Sequence, residues 1–169
     1  MQPLKNPRGC HPLCPGCTHG HMLPEQSLAV KQARLENQLF PWADQIRPVK
    51  GVDGRNRWNY RSKVCLKTEW DASGWRFGLV KQKTVIPIHD CPVHAEPVRR
   101  TVALLGDRLP AGTVFPAVYY LQSGGQAILV VKTKVLPDMT WLDADTKSRL
   151  SAAGVEGLWI HLHPAAGKR

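Results

Sequence analysis

The spacing of the cysteines constrains this chain more than any other feature of its sequence. Three thiols fall within eight residues, at Cys10, Cys14 and Cys17, and a fourth stands far along the chain at Cys91. Such a loop holds several thiolates in one coordination sphere, and the distant ligand ties the loop to the fold. Zinc sites more often use two paired Cys-x-x-Cys units. Three cysteines plus one that is followed by proline therefore favour a [4Fe–4S] cluster, with zinc as the alternative and unligated core cysteines as a third interpretation.

The other candidate ligands near this loop receive different predictions. Cys65 lies in the middle of a predicted strand, where a small buried hydrophobic role is favoured. His11, His19 and His21 surround the cysteine loop and can in principle replace a thiolate. For each of them, a surface or RNA-facing position is favoured over ligation.

The composition limits the class of protein and its compartment. No apolar run approaches the roughly 20 residues that a membrane span needs, so no membrane partner is expected. The first residues carry no apolar stretch after their positive charges, so no secretory signal is predicted. A cytoplasmic location follows as an expectation. In that reducing compartment clustered cysteines more often bind metal than form disulfides.

Positive charge is concentrated in the middle of the chain. The formal net charge is +10, and residues 47–100 hold twelve Lys or Arg against five Asp or Glu. A dense block of cations is typical of a surface that binds a polyanion such as nucleic acid. A solvated basic face without a partner is the alternative explanation of the same charge.

The hydrophobic periodicity predicts an α+β fold. A helix is expected over residues 24–39, with Leu28, Leu35 and Leu39 towards a core. From residue 60 the period changes to two. Tyr60, Ser62, Val64, Leu66 and Thr68 then share one face of a strand, and the opposite face carries Arg61, Lys63, Cys65, Lys67 and Glu69.

Further strands and helices follow from turn residues and apolar runs. The turn at residues 71–74 predicts a hairpin, and Pro87 places a short strand over 84–88 at an edge or end of the sheet. A helix ending near Gly106 is expected next, then strands over 114–121 and 126–133, a helix over 138–153 and a last strand over 158–162. The predicted architecture is a Cys-rich loop and helix packed on a mainly antiparallel sheet with two further helices. The expected division is 1–46 as the metal-binding loop and helix, 47–163 as a β-rich RNA-binding region, and 164–169 as a frayed tail.

Three stretches of the chain carry a resemblance to a known family. They read CHPLCPGCTHGHMLPEQSLAVKQARLEN, NYRSKVCLKT and FGLVKQKTVIPIHDCPV. Together they resemble the amino-terminal and central regions of the cluster-bearing RNA 5-methyluridine (uracil-C5) methyltransferases of the 23S rRNA and tRNA type. The later stretch QAILVVKTKVLPDMTWLDADTKSRL is similar to the rest of that central region. The resemblance implies an RNA-binding region and a [4Fe–4S] cluster whose ligands are Cys10, Cys14, Cys17 and Cys91.

The resemblance stops short of the family's catalytic part. In that family a doubly wound S-adenosylmethionine domain follows this region and carries a nucleophilic cysteine. These 169 residues contain no glycine-rich strand-to-helix turn for that cofactor. We therefore predict no S-adenosylmethionine site and no catalytic residue in this chain, and expect it not to methylate RNA alone.

The favoured function is a [4Fe–4S]-containing RNA-binding module with a structural cluster and an rRNA or tRNA partner. Basic groups are expected to contact phosphates, and Trp58, Tyr60 or Trp75 to stack on unpaired bases. The alternatives are the RNA-binding subunit of a split methyltransferase with a separate methyltransferase-domain chain, a redox-responsive iron–sulfur regulator, and the remnant of a longer gene. The predicted RNA-binding residues are Arg55, Arg57, Arg61, Lys63, Lys67, Arg76, Lys81 and Lys83.

Overall fold

Alternating apolar and polar residues build most of the regular structure. The computed structural model describes residues 9–20 and 22–166, apart from the side chain of Arg55, so that residues 1–8 and 167–169 and the candidate ligand His21 lie outside the described residues. The helices are α1 (Pro24–Gln38), α2 (Glu96–Arg108) and α3 (Ala144–Ala152), with short 3₁₀ helices at Phe40–Gln45 and Gly54–Arg57. The strands are β1 (Lys63–Asp71), β2 (Gly74–Lys81), β3 (Thr84–Pro87), β4 (Ala117–Ser123), β5 (Gln126–Val131) and β6 (Gly157–Leu162).

The six strands form one sheet in the order β3-β2-β1-β4-β5-β6. Neighbouring strands are antiparallel, except that β6 runs parallel to β5 after the chain has passed through α3. The prediction of an α+β fold with a mainly antiparallel sheet and two further helices is confirmed. Pro87 ends the edge strand β3, as predicted, where its missing N–H costs no ladder hydrogen bond.

The two faces of the sheet differ as the period-two pattern predicts. Val64, Leu66 and Thr68 of β1 are buried on one face, here called the inner face, while Lys63 and Cys65 are exposed on the opposite, outer face. The inner face packs against α2 to form the hydrophobic core. The core residues from the strands and helices include Leu66, Phe77, Tyr120 and Leu129 with Val98, Val102, Leu105 and Leu150.

Two expectations about burial are wrong. Cys65 is exposed rather than buried, because the alternation of β1 places it on the outer face between Lys63 and Lys67. None of the three predicted leucines belongs to the core cluster: Leu28 and Leu35 are half-buried and Leu39 is exposed. The buried residue of helix α1 is Ser27. The helix packs instead on the segment that follows it, where the Val49 N–H donates to Gln32 Oε1 at 2.7 Å.

Helix α3 begins later than the sequence predicts. Asp143 caps it, because its carboxylate accepts a hydrogen bond from the Thr146 N–H at 2.7 Å. Asp138 makes a similar bond to the Thr140 N–H at 2.9 Å, but that bond closes a turn before the helix. At the other end of the chain, Ala166 is buried after β6 and its N–H donates to the carbonyl of His163. None of the helices described is long and apolar enough to cross a membrane.

Gly78 provides a test of the packing between β2 and β3. A Cβ atom at this position would lie 2.0 Å from the carbonyl oxygen of Ile86, which belongs to the backbone of the neighbouring strand. We expect Gly78→Ala to lower the free energy of unfolding by about 2 kcal/mol, because the strands must separate to admit the methyl group. Gly106→Ala is the matched control, since its Cβ meets nothing within 4 Å on helix α2. Urea unfolding that gives equal stability for the two variants would contradict this prediction.

Candidate metal centre and nucleic-acid interface

The candidate centre lies beside a gap in the sheet. The first half of β1, from Lys63 to Lys67, pairs with β4, whereas its pairing with β2 starts only at Lys67. On the β2 side, the start of β1 therefore borders a cavity of about 140 Å³. The cavity lining combines the cysteine loop with β1 and the segment after β3, namely Cys14, Gly16, Cys17, Arg61, Lys63, Val64, Cys65, Leu66, Leu79, Ile88, Cys91, Val93 and His94.

Two glycines allow the cysteine loop to approach the sheet closely. Gly9 has φ +83°, and a Cβ atom there would lie 2.1 Å from the backbone carbonyl oxygen of Asp90. Gly16 faces β2, since its Cβ would lie 2.9 Å from Cδ1 of Leu79. Larger residues at these positions would push the loop away. The loop is thus fitted against the residues that precede Cys91.

Backbone hydrogen bonds hold the cysteines in place. The Cys14 N–H donates to the carbonyl of His11 at 3.0 Å, and the Cys91 N–H donates to the carbonyl of Ile88 at 3.1 Å. The Gly16 N–H points at Sγ of Cys14, 3.4 Å away. The loop therefore presents its sulfurs from a fixed backbone.

A short parallel ladder anchors the segment after Cys91 to the start of β1. The Arg61 N–H donates to the carbonyl of Val93 at 2.9 Å, and the Ala95 N–H donates to the carbonyl of Arg61 at 2.9 Å. The Asn59 N–H donates to the carbonyl of Pro92 in the same way, at 2.9 Å. Arg61 therefore has a fixed backbone at the edge of the cavity, while its side chain remains available.

The four predicted cysteines share one electrostatic environment. Burial raises the pKa of the Cys10 thiol most, and the thiolate charges of Cys17, Cys14 and Cys91 raise it further. The pKa of Cys17 is raised by partial desolvation and then by Cys91 and Cys14, and it is lowered by Arg61 and Arg57. The thiols of Cys10, Cys14, Cys17 and Cys91 are thus close enough for their charges to affect one another. Within the residues that the structure describes, no group of three or more Cys, His, Asp or Glu side chains is arranged to hold a single metal ion.

The two described histidines of the loop have other contacts. Nδ1 of His11 accepts a hydrogen bond from the Leu13 N–H at 3.2 Å. Nδ1 of His19 lies 3.4 Å from the sulfur of Met22. Each of these contacts lies within its own turn of the loop.

Sequence reasoning missed one residue of this region, His94. The side chain is 3% exposed, lines the cavity, and has a buried Nδ1 without a hydrogen-bond partner. Burial, followed by the positive charges of Arg61 and Arg99, lowers the pKa of His94 to about 4. The ring is therefore neutral at neutral pH. In the sequence, only the position of His94 shortly after Cys91-Pro92 indicates a link to the site, and that position does not predict a buried ring.

The predicted RNA-binding residues separate into two groups. Arg61 and Lys63 line the cavity, and the guanidinium of Arg57 lies 5.5 Å from the centre of the Trp58 ring. Lys81 and Lys83 flank the turn between β2 and β3. Because β1 and β2 are antiparallel, that turn is at the same end of the sheet as Lys63. These five cations therefore gather at one end of the sheet.

The remaining predicted contacts have other surroundings. Arg76 lies towards the opposite end of β2, where its guanidinium bridges Glu69 at 2.9 Å and Asp71 at 2.8 Å. Lys67 lies on the outer face, and its Nζ is 4.5 Å from the centre of the Tyr119 ring. Arg55 is in the 3₁₀ helix Gly54–Arg57, and its side chain is outside the description.

Of the three aromatic residues expected to stack on bases, two present exposed rings. Tyr60 is 60% exposed and Trp58 is 36% exposed. Trp75 instead packs against the core, and its indole N–H donates to the carbonyl of Pro110 at 2.9 Å. The exposed pair lies between the 3₁₀ helix Gly54–Arg57 and β1, close to the cations at that end of the sheet.

The fold and the site together define a basic α+β domain whose cysteine loop lies beside a gap in its sheet. No protein-family model matches the chain. It is similar to proteins named 23S rRNA (uracil(1939)-C(5))-methyltransferase RlmD. The relative from Pseudomonas syringae pv. tomato is 26% identical over 162 residues, which cover 88% of this chain and 34% of the relative. A relative from Pseudomonas fluorescens strain Pf0-1 is 22% identical over 169 residues, which cover 94% of this chain and 36% of the relative. One from another strain of that species is 28% identical over 122 residues, which cover 64% of this chain and 25% of the relative.

These similarities confirm a relationship to the rRNA uracil-C5 methyltransferases. The chain spans about a third of the length of the first two relatives. The similarity therefore concerns one region of those enzymes, and it extends over most of this chain.

Proposed function

We propose that this chain is an RNA-binding module whose cysteine loop carries a structural [4Fe–4S] cluster. The observation that supports the proposal is electrostatic: the charges of Cys14, Cys17 and Cys91 act on the Cys10 thiol, and those of Arg57 and Arg61 act on Cys17. The similarity to rRNA methyltransferases supports RNA as the polyanion. The proposed thiolate centre and the cationic surface therefore border the same cavity.

The donor set suits the cluster chemically. Four thiolates are the usual protein ligands of a [4Fe–4S] centre, and such a centre would offset the desolvation and the mutual repulsion that raise the pKa of Cys10 and Cys17. Cys91 belongs to the segment after β3, whereas the other three belong to the loop. Ligation by all four would fix the loop against β1 and the parallel ladder. Zinc on the same thiolates is the alternative occupant.

The surface around the centre suits RNA. Arg57, Arg61 and Lys63 are near the thiolates, and Lys81 and Lys83 extend the positive charge along the same end of the sheet. Lys and Arg bind phosphates without reading sequence, while exposed rings such as Tyr60 can stack on unpaired bases. This combination is typical of a surface for partly single-stranded RNA.

The similarity to rRNA methyltransferases also fits a second candidate, the RNA-binding subunit of a split enzyme. The chain corresponds to about a third of each of the first two relatives. In this candidate it supplies RNA binding for a uracil-C5 methyltransferase, and a separate chain supplies the methyl-transfer domain. Co-purification with such a chain, and methylation that requires both, would distinguish it from a module that acts alone.

The RNA proposal predicts binding that weakens steeply with salt. Replacing Arg61 and Lys63 together by glutamine should reduce the slope of log affinity against log salt by about 1.4 for single-stranded RNA, because two phosphate contacts are lost. The Arg61 backbone ladder does not depend on its side chain, so the fold should be retained. Fluorescence anisotropy with labelled RNA at several salt concentrations measures the slope.

The matched control removes two cations from elsewhere. Lys31 and Arg34 are exposed on helix α1, and their replacement by glutamine lowers the net charge by the same amount. We expect a much smaller change of slope for this control. Equal effects of the two double variants would mean that net charge alone governs binding, and salt-independent binding by the wild type would refute the proposal.

A further inference from the structure

The outer face of the sheet presents a second surface that the cysteine centre does not use. Trp159 of β6 is 61% exposed there, and Cys65 of β1 is exposed at the other side of the same face. Leu121 and Ile128, which lie between them, are half-buried and do not belong to the core cluster. The outer face of four neighbouring strands is therefore accessible in the part of the chain that the structure describes.

The strand register arranges this face in two adjacent cross-strand rows. In the first row Cys65 pairs with Leu121, Leu121 with Ile128, and Ile128 with Trp159. In the second row the paired residues are Lys67, Tyr119, Val130 and His161. Four strands at the usual spacing extend about 14 Å, which is room for more than one base. The rows combine the apolar side chains of Leu121, Ile128 and Val130 with the rings of Trp159 and Tyr119, and Lys67 lies at their β1 end.

The aromatic side chains are held in position. The indole N–H of Trp159 donates to Oε1 of Gln126 on β5 at 2.9 Å, which restrains the ring over the neighbouring strand. Nζ of Lys67 lies 4.5 Å from the centre of the Tyr119 ring. The ring centres of His161, on β6, and His163, just after β6, are 5.9 Å apart. A ring that is ordered before binding loses less entropy when a base stacks on it.

Positive charge accompanies this surface. Both lysines adjoin β4, since Lys67 pairs with Tyr119 and the Lys132 N–H donates to the carbonyl of Pro116 at 2.9 Å. Desolvation lowers the pKa of Lys67, and the positive charge of Lys132 lowers it further. The acidic Glu69 of the same strand face is already bridged by Arg76. An anion between Lys67 and Lys132 would relieve the repulsion, whereas an apolar protein surface would bury two unpaired charges. Charge complementarity therefore favours a phosphate backbone.

We propose that the outer face of β1, β4, β5 and β6 binds an unpaired RNA segment, with a base stacked on Trp159 and phosphates at Lys132 and at Lys67, which lies over the Tyr119 ring. The inference rests on the proposed RNA-binding function and adds a distinct site and a preference for single strands. Duplex RNA keeps its base faces stacked inside the helix, so it cannot use exposed rings in this way.

The test compares single-stranded and duplex RNA on the full chain. An oligouridine of about ten nucleotides and a duplex of the same length serve as probes in fluorescence anisotropy. Trp159→Ala should weaken single-strand binding about tenfold, since one stacked base is lost, and should leave duplex binding nearly unchanged. Trp159→Phe should retain most of the affinity. Trp42→Ala is the matched control, because Trp42 is 56% exposed in the 3₁₀ helix Phe40–Gln45, away from the sheet.

The outcomes separate this inference from the function on which it rests. If the wild type binds neither RNA, both are wrong. If Arg61 and Lys63 matter but Trp159→Ala has no effect, RNA binding stands and the stacking surface is refuted, which leaves the face for a protein partner. Equal loss on single-stranded and duplex RNA would also refute stacking. Circular dichroism confirms that each variant is folded.

Discussion

Cys91→Ser is expected to leave the chain almost without iron when it is purified in the absence of oxygen. The wild type should hold about four irons per chain and show broad visible absorbance. Cys91 is the one predicted ligand outside the loop, and its backbone is fixed by Ile88 and by the ladder with Arg61. A serine there removes the thiolate that joins the loop to the sheet, so the three remaining ligands lose their anchor.

Cys65→Ser is the matched control for this experiment. Cys65 borders the same cavity as Cys91 but is exposed on the outer face of β1, and the proposal gives it no ligand role. Its variant should retain the full iron content and spectrum. Full iron in Cys91→Ser would refute the assigned ligand set. One zinc per wild-type chain would replace the cluster by the zinc alternative.

Acid is expected to destabilise the chain through His94. The pKa of this buried ring is about 4 in the folded state, below its ordinary value of 6.5. The unfolded chain therefore binds a proton more readily than the folded chain does. The contribution of neutral His94 to stability is complete above pH 6.5 and is lost as the pH falls from 6.5 towards 4. The full loss amounts to roughly 3 kcal/mol.

Urea unfolding across this pH range measures the effect. The wild type should lose stability in acid more steeply than His94→Gln, because glutamine is neutral at every pH and removes the linked proton. The difference between the two curves isolates His94 from carboxylates that titrate in the same range. Parallel curves for the two proteins would refute a buried neutral histidine at this position.

The sequence predicts the elements of this fold better than their contacts. The alternation from Val64 to Thr68 correctly separates the two faces of β1, because a single strand with one buried face determines that pattern locally. The same alternation places Cys65 outside, and the expectation of a buried thiol fails because the period of the strand, and not the residue type, determines which face a side chain occupies. Asp138 and Asp143 have the same local chemistry, so the sequence alone does not show which one caps α3.

For the candidate site, too, the sequence predicts the residues better than their contacts. The cysteine spacing predicts Cys10, Cys14, Cys17 and Cys91 as one ligand set, and that set stays a prediction, although the charges of these thiols affect one another. The burial of His94 depends on the parallel ladder between Arg61 and the segment after Cys91, which joins residues far apart in sequence. The two cross-strand rows, which end at Trp159 and His161, depend on the strand order and on the parallel pairing of β6 with β5. No local sequence pattern contains that information.

The late pairing of β1 with β2 has a consequence for self-association. The start of β1 has backbone groups on the side of the gap that β2 does not reach. Unpaired strand edges are templates for addition of another chain, and proteins cover them with loops or ladders. Here the cysteine loop and the ladder at Arg61 lie over that edge. A metal held by the cysteine loop would thus also protect the chain from aggregation. Its loss would expose the unpaired backbone of β1, in the middle of the sheet and not at an edge strand.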